Sequence, residues 1–271
     1  MPEGPETKRM ADSLSKAIKN KKIVSAQFLF PTIRILNSLQ NISVLDVFSK
    51  GKSIIIRLDI GKSIITHNQL YGKWTVNYLK TKIRHNRKLR IEFNTGYKAA
   101  RLWSATDITL LESEKENRHH YLKKLGPDIL STSISKYDVF DRLRSKSFVN
   151  KNLGGLLLNQ NFIAGLGNYL RSEILFFCGL LPSVRPKELD DLQMVKLSEY
   201  IKIISVRAYK QKGITIDQEE FSDRFGNIYN FRLIRHMVFD RENQPCFYCG
   251  NTIIKFFQSS RRYYFCGTCQ S

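Results

Sequence analysis

Four of the five cysteines lie near the end of the chain, in two pairs whose spacing suits a metal ion. The chain reads Cys246-Phe-Tyr-Cys249, then sixteen further residues, then Cys266-Gly-Thr-Cys269. Two such pairs supply four thiolates that can close a tetrahedron around zinc, which leaves no open position for a substrate. We therefore predict a structural zinc ion, in a segment too short to fold by apolar burial alone. A redox-active pair is the alternative.

Aromatic and basic residues alternate between the two cysteine pairs, which predicts a β-hairpin. Arg261 and Arg262 fall near its tip. An arginine held in this way can bind a phosphate through two parallel hydrogen bonds. An ordinary solvated hairpin is the alternative.

A glycine-punctuated segment, residues 160–169, predicts a turn between two helices. One helix is expected to end near Asn161 and the next to begin near Asn168. The free backbone amides of the second helix, together with the Asn168 side chain, make a site suited to a phosphate. A helix–turn–helix packing corner without a ligand fits the pattern equally well.

The beginning of the chain carries an unusual nucleophile. Met1 precedes a small residue, so an aminopeptidase is expected to expose Pro2 as the mature terminus. Attack of its secondary amine on an aldehyde-like carbon gives an iminium, which accepts electrons during elimination. An α-amino group titrates near ~8, so free base is available at neutral pH. Glu3 and Glu6 lie beside it as acid/base groups.

Two hydrophobic periodicities predict the elements that must position these residues. The spacing of Met10, Leu14 and Ile18 predicts a helix over 5–20. Short β-rich runs then predict strands over 23–30, 42–48, 53–59, 63–67, 73–79, 89–93 and 97–103. After Gly126-Pro127 the period changes, which predicts helices over 137–143, 153–161, 168–177 and 188–209. Residues 211–230 have no clear period and are expected to form a loop.

The composition favours a nucleic-acid partner. Lys and Arg number 44 against 24 Asp and Glu, for a formal charge of +20. Such a surface displaces counterions from phosphates, although charge alone does not separate DNA from RNA or an anionic membrane. The segregated cysteines do not resemble a secreted disulfide framework, and no apolar run is long enough to span a membrane. We expect an intracellular protein that acts at its nucleic acid.

Motifs at both ends and in the middle of the chain resemble one family, formamidopyrimidine-DNA glycosylase/endonuclease VIII, and most of all its endonuclease VIII branch. The resemblance covers nearly the whole chain. Its motifs are Met-Pro-Glu-Gly-Pro-Glu at residue 1, Gly51-Lys52, His67-Asn-Gln-Leu-Tyr-Gly72, Leu156-Leu-Leu-Asn-Gln160, Ala164-Gly-Leu-Gly-Asn-Tyr-Leu-Arg171 and the four-cysteine finger.

The resemblance implies an α+β multidomain fold with DNA bound in a cleft. A catalytic antiparallel β-sandwich with an N-terminal helix would occupy residues 1–127. A helical DNA-binding domain with a helix–two-turn–helix motif would occupy 128–234. A zinc-finger β-hairpin would occupy 235–271.

The resemblance assigns functional roles to the positions of this chain that match the family's motifs. Pro2 would be the Schiff-base nucleophile at C1′ of the damaged nucleotide, and Glu3 the acid/base that assists opening of the sugar ring. Glu6 would support them, and Lys52 would touch a phosphate near the lesion. Asn168 and Arg261 would bind phosphates of the DNA. Gln69, Leu70 and Tyr71 would fill the void that the flipped nucleotide leaves. The zinc ligands are Cys246, Cys249, Cys266 and Cys269.

The predicted activity is that of a bifunctional DNA glycosylase/AP lyase of base excision repair, with β,δ-elimination and no organic cofactor. The target base must leave the helix before C1′ can be reached, and the void must be filled. Residues 101–107 lack the Arg-Phe pair of the formamidopyrimidine branch, which favours oxidised pyrimidines as substrates. The alternatives are a purine-directed glycosylase of the same family and a non-catalytic zinc-containing binder of DNA or RNA. We expect a monomer that binds damaged duplex or single-stranded DNA and no membrane.

Overall fold

The computed structural model divides the chain into two compact units, Met1–Lys124 and Leu125–Ser271. It describes residues 2–39, 41–226, 230, 234–258 and 260–271. The prediction that Met1 is removed therefore lies outside the described residues. Among those residues, no helix combines the length and the apolarity that a membrane crossing requires.

The first unit is a β-sandwich that packs against an N-terminal helix. The helix is α1 (Gly4–Ile18). The strands are β1 (Ser25–Phe28), β2 (Val44–Lys50), β3 (Ser53–Leu58), β4 (Lys62–His67), β5 (Lys73–Tyr78), β6 (Leu89–Asn94), β7 (Lys98–Trp103) and β8 (Asp107–Glu112). They form two antiparallel four-stranded sheets, in the orders β1-β6-β7-β5 and β2-β3-β4-β8.

One hydrophobic core joins both sheets to α1. Leu14 and Ile18 of the helix are fully buried with Ile56 of one sheet and Phe93 of the other. Alternate residues of a strand face opposite sides, so each sheet contributes one apolar face to this core. The helix that begins just after Pro2 is therefore fixed by apolar contacts along its length.

The second unit contains the helices and a terminal hairpin. Its helices are α2 (Lys136–Arg144), α3 (Leu153–Leu156), α4 (Asn168–Cys178), α5 (Asp191–Lys210) and α6 (Gln218–Phe225). Its strands are β9 (Ile254–Gln258) and β10 (Arg261–Phe265), which pair antiparallel. Helices α2 to α5 share a core that includes Tyr263 of β10, whereas Tyr264 packs into a second core with Cys246 and Cys266. Because neighbouring residues of β10 face opposite ways, the second half of this strand is buried on both of its faces.

The predicted α+β class is confirmed, but several element boundaries were wrong. The predicted helix over 153–161 ends at Leu156, because Gly154 and Gly155 are poor helix formers and turns follow. The predicted loop over 211–230 contains α6, which begins after the cap Asp217, whose carboxylate accepts from the backbone N–H of Glu220 at 3.3 Å. Strand β8 and a 3-10 helix, Pro31–Ser38, were not predicted.

Candidate active site and DNA-binding site

Pro2 and Glu3 stand at the start of α1. Pro2 is half-buried and Glu3 is only 5% exposed. Glu3 is the N-cap residue: its carbonyl accepts hydrogen bonds from the backbone N–H and the hydroxyl of Thr7, at 3.0 and 2.9 Å. The sequence thus places the candidate nucleophile beside a buried carboxyl group, on a backbone that the helix holds in place.

Glu6 has a structural role in the same turn. Its carboxylate accepts a hydrogen bond from the backbone N–H of Glu3 at 3.1 Å and lies 3.5 Å from the guanidinium of Arg9. A side chain that reaches back from the third helical residue satisfies a backbone donor that the helix cannot pair. Glu6 therefore orients the segment that carries Pro2 and Glu3.

Lys52 lies on the two-residue turn that joins β2 to β3. Gly51 adopts φ of 60°, the left-handed region that tight hairpin turns need and that glycine adopts without strain. The backbone N–H of Lys52 donates to the Tyr121 hydroxyl at 3.1 Å. The turn is thus tied to a second segment of the first unit, and the Lys52 side chain extends from a fixed base.

The segment from Asn68 to Gly72 forms a tight projecting loop. The N–H of Gly72 donates to the carbonyl of Asn68 at 2.7 Å, and a Cβ at Gly72 would lie 2.7 Å from that same oxygen. Gln69 adopts φ of 47°, a conformation that costs free energy in a non-glycine residue. The loop thus requires Gly72, and its strain must be offset by the structure around it.

Leu70 and Tyr71 are 71% and 68% exposed at the tip of this loop. From the sequence alone Leu70 could equally end a buried strand, but its exposure excludes this interpretation. Arg87 donates to the carbonyl of Tyr71 at 2.6 Å, and Gln69 is bonded through its side-chain nitrogen to Asp107 and through its side-chain oxygen to Thr106, both at 3.3 Å. The apolar tip is therefore presented to solvent on a braced loop.

Asn168 begins α4, at the place predicted for a phosphate site. Its side-chain oxygen accepts from Arg171 at 2.7 Å, which leaves the amide nitrogen facing away from that contact as a donor. The turn before it is held by Gln160, whose side chain bonds to the backbone of Leu166 and Gly165 at 2.9 and 3.1 Å. Asn168 therefore stands at the positive end of the α4 dipole, where an anion is favoured.

Arg261 and Arg262 open β10, and both are exposed. The partner of Arg261 in the hairpin register is Gln258. The residue between Gln258 and Ser260 lies outside the described part of the chain. The predicted position of these arginines beside the hairpin tip agrees with this register.

Sequence reasoning missed two fully buried charges in α4. Arg171 donates to the carbonyl of Gly154 at 2.9 Å and to that of Arg262 at 2.8 Å, as well as to Asn168. One guanidinium thus joins α3, the start of α4 and the hairpin. The signal in the sequence was a pair of opposite charges inside an otherwise apolar helix. Because charged groups are buried only when they have partners, this pair indicated contacts to other segments.

Glu173 is the second of these charges. Its carboxylate accepts hydrogen bonds from the Thr215 hydroxyl at 2.6 Å and from three consecutive backbone N–H groups, those of Met237, Val238 and Phe239, at 2.8 to 2.9 Å. These four donors fix the segment that leads into the cysteine module. Arg171 and Glu173 lie on the same helix. Helix α4 therefore holds both the hairpin that carries Arg261 and the segment that leads into the cysteine module.

The four cysteines lie together, as their spacing predicted. Their sulfur atoms are all within 4.8 Å of one another, with Cys246 to Cys269 at 3.8 Å and Cys249 to Cys266 at 3.4 Å. Zinc bonds of about 2.3 Å at the centre of a tetrahedron would put the sulfurs roughly 3.8 Å apart. The residues present therefore fit a four-thiolate metal site.

The thiols of this cluster differ in acidity. A hydrogen bond from the backbone of Asn251 lowers the pKa of Cys249 to about 7, whereas burial raises the pKa of Cys246 and of Cys269. A bound cation would favour the thiolate at each position, since metal ligation requires deprotonated sulfur.

The comparisons with known proteins match both units. Residues 1–105 match the formamidopyrimidine-DNA glycosylase N-terminal domain, and residues 125–220 match the formamidopyrimidine-DNA glycosylase H2TH domain. The chain is 37% identical to endonuclease 8 of Klebsiella pneumoniae and 38% identical to endonuclease 8 of an Escherichia coli strain, in each case over the whole of both chains. The fold resembles that of Lactococcus lactis Fpg in complex with DNA that contains an abasic site, with a TM-score of 0.80, 21% identity and 99% of each chain covered.

A glycosylase domain followed by a helix–two-turn–helix domain defines a DNA glycosylase with AP lyase activity. The chain belongs to the formamidopyrimidine-DNA glycosylase/endonuclease VIII family, as the motifs at its two ends and in its middle predicted. The predictions of an enzyme and of a DNA-binding protein are thereby confirmed.

Proposed function

We propose that the protein removes oxidised pyrimidines from DNA through a Schiff base on Pro2, followed by β,δ-elimination. The observation that carries this proposal is the pair at the start of α1, a proline next to a glutamate that is only 5% exposed. A proline at the first position of the processed chain offers a secondary amine, the one amine that forms a permanently cationic iminium without a further proton. This cation is the electron sink that both eliminations need.

The reaction would proceed in three steps. The Pro2 nitrogen attacks C1′, the glycosidic bond breaks, and the base leaves with the bonding electrons and takes up a proton. Loss of a C2′ proton then expels the 3′ phosphate, and a second elimination expels the 5′ phosphate. Each departing phosphate carries away the electron pair of its C–O bond, and hydrolysis of the imine returns Pro2.

Glu3 would transfer protons in the first step. Its burial restricts the carboxyl group to a few orientations, and general acid/base groups contribute most when they are held near the reacting atoms. Protonation of the sugar ring oxygen by Glu3 would let the C1′–O4′ bond break, and the lone pair of the Pro2 nitrogen would then form the iminium with C1′. Lys52 would contact the phosphate beside the lesion, and Glu6 would hold the Glu3 backbone.

The projecting loop favours a void-filling role. An exposed leucine and tyrosine leave apolar surface in water, which is unfavourable in the free protein. Insertion of these side chains into a base stack would bury that surface and lower the free energy. Gln69, Leu70 and Tyr71 would occupy the space that the flipped nucleotide leaves. The endonuclease VIII type of this loop, together with the residues at 101–107, is the reason to prefer pyrimidine lesions over 8-oxoguanine.

The second unit would hold the DNA backbone. The Asn168 side-chain amide, at the start of α4, would bind one phosphate, and Arg261 another. Zinc at Cys246, Cys249, Cys266 and Cys269 would stabilise the turns that flank the hairpin, with no part in the reaction. We propose that the protein acts inside the cell, where its DNA substrate lies. We also propose that it acts as a monomer.

Borohydride trapping tests this proposal. Processed protein is mixed with duplex DNA that carries thymine glycol, 8-oxoguanine or an undamaged base, and the reductant converts the imine to a stable amine. We expect a covalent complex with thymine glycol, little with 8-oxoguanine and none with undamaged DNA. Mass spectrometry should place the adduct on Pro2.

Two controls separate the alternatives. Protein that retains Met1 has its Pro2 nitrogen in an amide, so it should bind the same DNA without being trapped. Preferential trapping on 8-oxoguanine would favour the purine-directed alternative. Failure of processed protein to be trapped on any lesion or on an abasic site would leave only the non-catalytic binder.

A further inference from the structure

Asp107, His119 and His120 form a second group of metal-ligand side chains, in the first unit and apart from the four cysteines. One ligand atom of each lies within 4.8 Å of the others. Asp107 is the first residue of β8, and the two histidines follow a 3-10 helix, Ser113–Arg118, with ring centroids 4.2 Å apart. Three different ligands thus converge from two segments of the chain.

The surroundings of this group suit a metal ion. Asp107 faces His67 across the β4–β8 register, so a third imidazole lies beside the group. The Nε2 atom of His119 contacts the Thr109 hydroxyl at 3.2 Å. The Nδ1 atom of the same ring accepts from the backbone N–H of Tyr121 at 3.3 Å, so an ion bound at Nδ1 would replace that long hydrogen bond while Thr109 holds the ring through Nε2.

The chemistry of the ligand set selects the class of ion. Two imidazoles and one carboxylate favour divalent transition metals such as zinc, nickel and copper, whereas magnesium and calcium prefer sets made only of oxygen. Because His120 is exposed, water could complete the coordination shell. The single carboxylate offsets half of the charge of such an ion.

One element of the proposed active site is bonded to this group, and another is bonded to the residue that follows it in the chain. The Gln69 side chain donates to Asp107 at 3.3 Å, and Gln69 belongs to the projecting loop. Tyr121, the next residue after His120, accepts the hydrogen bond from the backbone of Lys52. An ion on Asp107 would compete with the Gln69 amide for that carboxylate, since both are bound through its oxygens.

We propose that Asp107, His119 and His120 bind a divalent transition-metal ion of the zinc class, and that the bound ion slows base excision by withdrawing Asp107 from Gln69. The second half of this proposal rests on the proposed function of the Gln69 loop. The first half concerns ion binding alone and is independent of it.

Calorimetric titration tests the binding. Ni²⁺ is added, without DNA, to protein whose four cysteines carry zinc, and the zinc that remains bound is measured in parallel. We expect one Ni²⁺ per chain with zinc retained, and at least roughly tenfold weaker binding in His120→Ala and in Asp107→Asn. His85→Ala removes another exposed histidine of the same unit and should bind Ni²⁺ like the wild type.

Three results would overturn the site. They are the absence of Ni²⁺ binding, equal affinity in the wild type and His120→Ala, and release of zinc in the amount that Ni²⁺ is taken up, which would place the ion at the cysteines. His120 is exposed, so its replacement should leave the fold intact, and circular dichroism would verify this.

Excision assays test the regulatory half. Without added metal, His120→Ala should excise thymine glycol at the wild-type rate. Added Ni²⁺ should slow the wild type severalfold and His120→Ala far less. Equal inhibition of both proteins would refute regulation through this site, even if the site binds the ion. If neither protein excises any lesion, the proposed function fails while the calorimetric result stands.

Discussion

The two units hold their functional side chains in different ways. In the first unit, Pro2, Lys52 and Leu70 lie at a helix start, on a hairpin turn and on a loop tip, which are supported by hydrogen bonds between exposed or partly buried groups. In the second unit, Asn168 and the hairpin of Arg261 are joined through buried charges that bond to segments up to 91 residues away. The first arrangement exposes reactive groups, and the second fixes a surface.

This difference suggests how each unit should respond to substitution. A side chain on a braced turn can be altered without disturbing the sandwich core beneath it, so its loss should change rates more than stability. A buried charge that satisfies several donors cannot be altered without leaving them unpaired, so its loss should change stability more than rates. Four substitutions, from the largest expected effect to the smallest, test this contrast.

Glu3→Gln should have the largest effect. Glutamine keeps the shape of the buried side chain but cannot transfer a proton, so single-turnover excision of thymine glycol should fall by about 10²–10⁴-fold. The melting temperature and DNA affinity should change little. Asp12→Asn, which alters the ion pair with Lys8 on the same helix, is the matched control and should excise normally. A wild-type rate in Glu3→Gln would remove this residue from the chemistry.

Glu173→Gln should instead act on stability. All four groups around the Glu173 carboxylate are hydrogen-bond donors, so an amide nitrogen there would face a donor. We expect the free energy of unfolding, measured by urea denaturation, to fall by about 2–4 kcal/mol. The folded fraction should keep its excision rate. Glu199→Gln, which breaks a partly exposed pair with Lys136, should cost no more than about 1 kcal/mol. Equal losses in the two variants would contradict the contrast.

Leu70→Ala should slow excision without loss of stability. The side chain is 71% exposed, so the free energy of unfolding should change by no more than about 0.5 kcal/mol. A void left in duplex DNA costs a few kcal/mol of stacking, so we expect excision to slow by roughly tenfold. Single-stranded DNA has no opposing stack, and there the variant should approach the wild-type rate. Leu192→Ala, at a residue 82% exposed in the other unit, should match the wild type on both substrates.

The sequence predicted the parts of this molecule that depend on local patterns. Alternation and glycine turns located seven of the strands in the first unit, and the cysteine spacing located the cluster. Helix α6 was missed because its 8 residues are too few to show a clear hydrophobic period. Its Asp217 cap and its end at Gly226 were nevertheless signals that the sequence offered. The three-part division of the chain and the roles of the site residues stay predictions.

What the sequence did not reveal are contacts between distant segments. Arg171 and Glu173 look like surface charges of a helix until partners such as Arg262 and Val238, 91 and 65 residues along the chain, are known. Asp107, His119 and His120 likewise form a group only because β8 and the 3-10 helix after it bring them together. Such long-range pairing is set by the packing of the whole unit, and no local period encodes it.

Arg261→Ala should have the smallest effect and gives the most direct view of the second unit. One lost phosphate contact should reduce the salt dependence of DNA binding, the slope of log K against log[salt], by about 0.9 and weaken binding only severalfold. Arg262→Ala is the matched control: its side chain is also exposed, and its backbone carbonyl would still hold Arg171. If the hairpin presents one arginine to the phosphate, the two slopes must differ. Equal slopes would mean that the fixed hairpin attracts DNA only through its total charge.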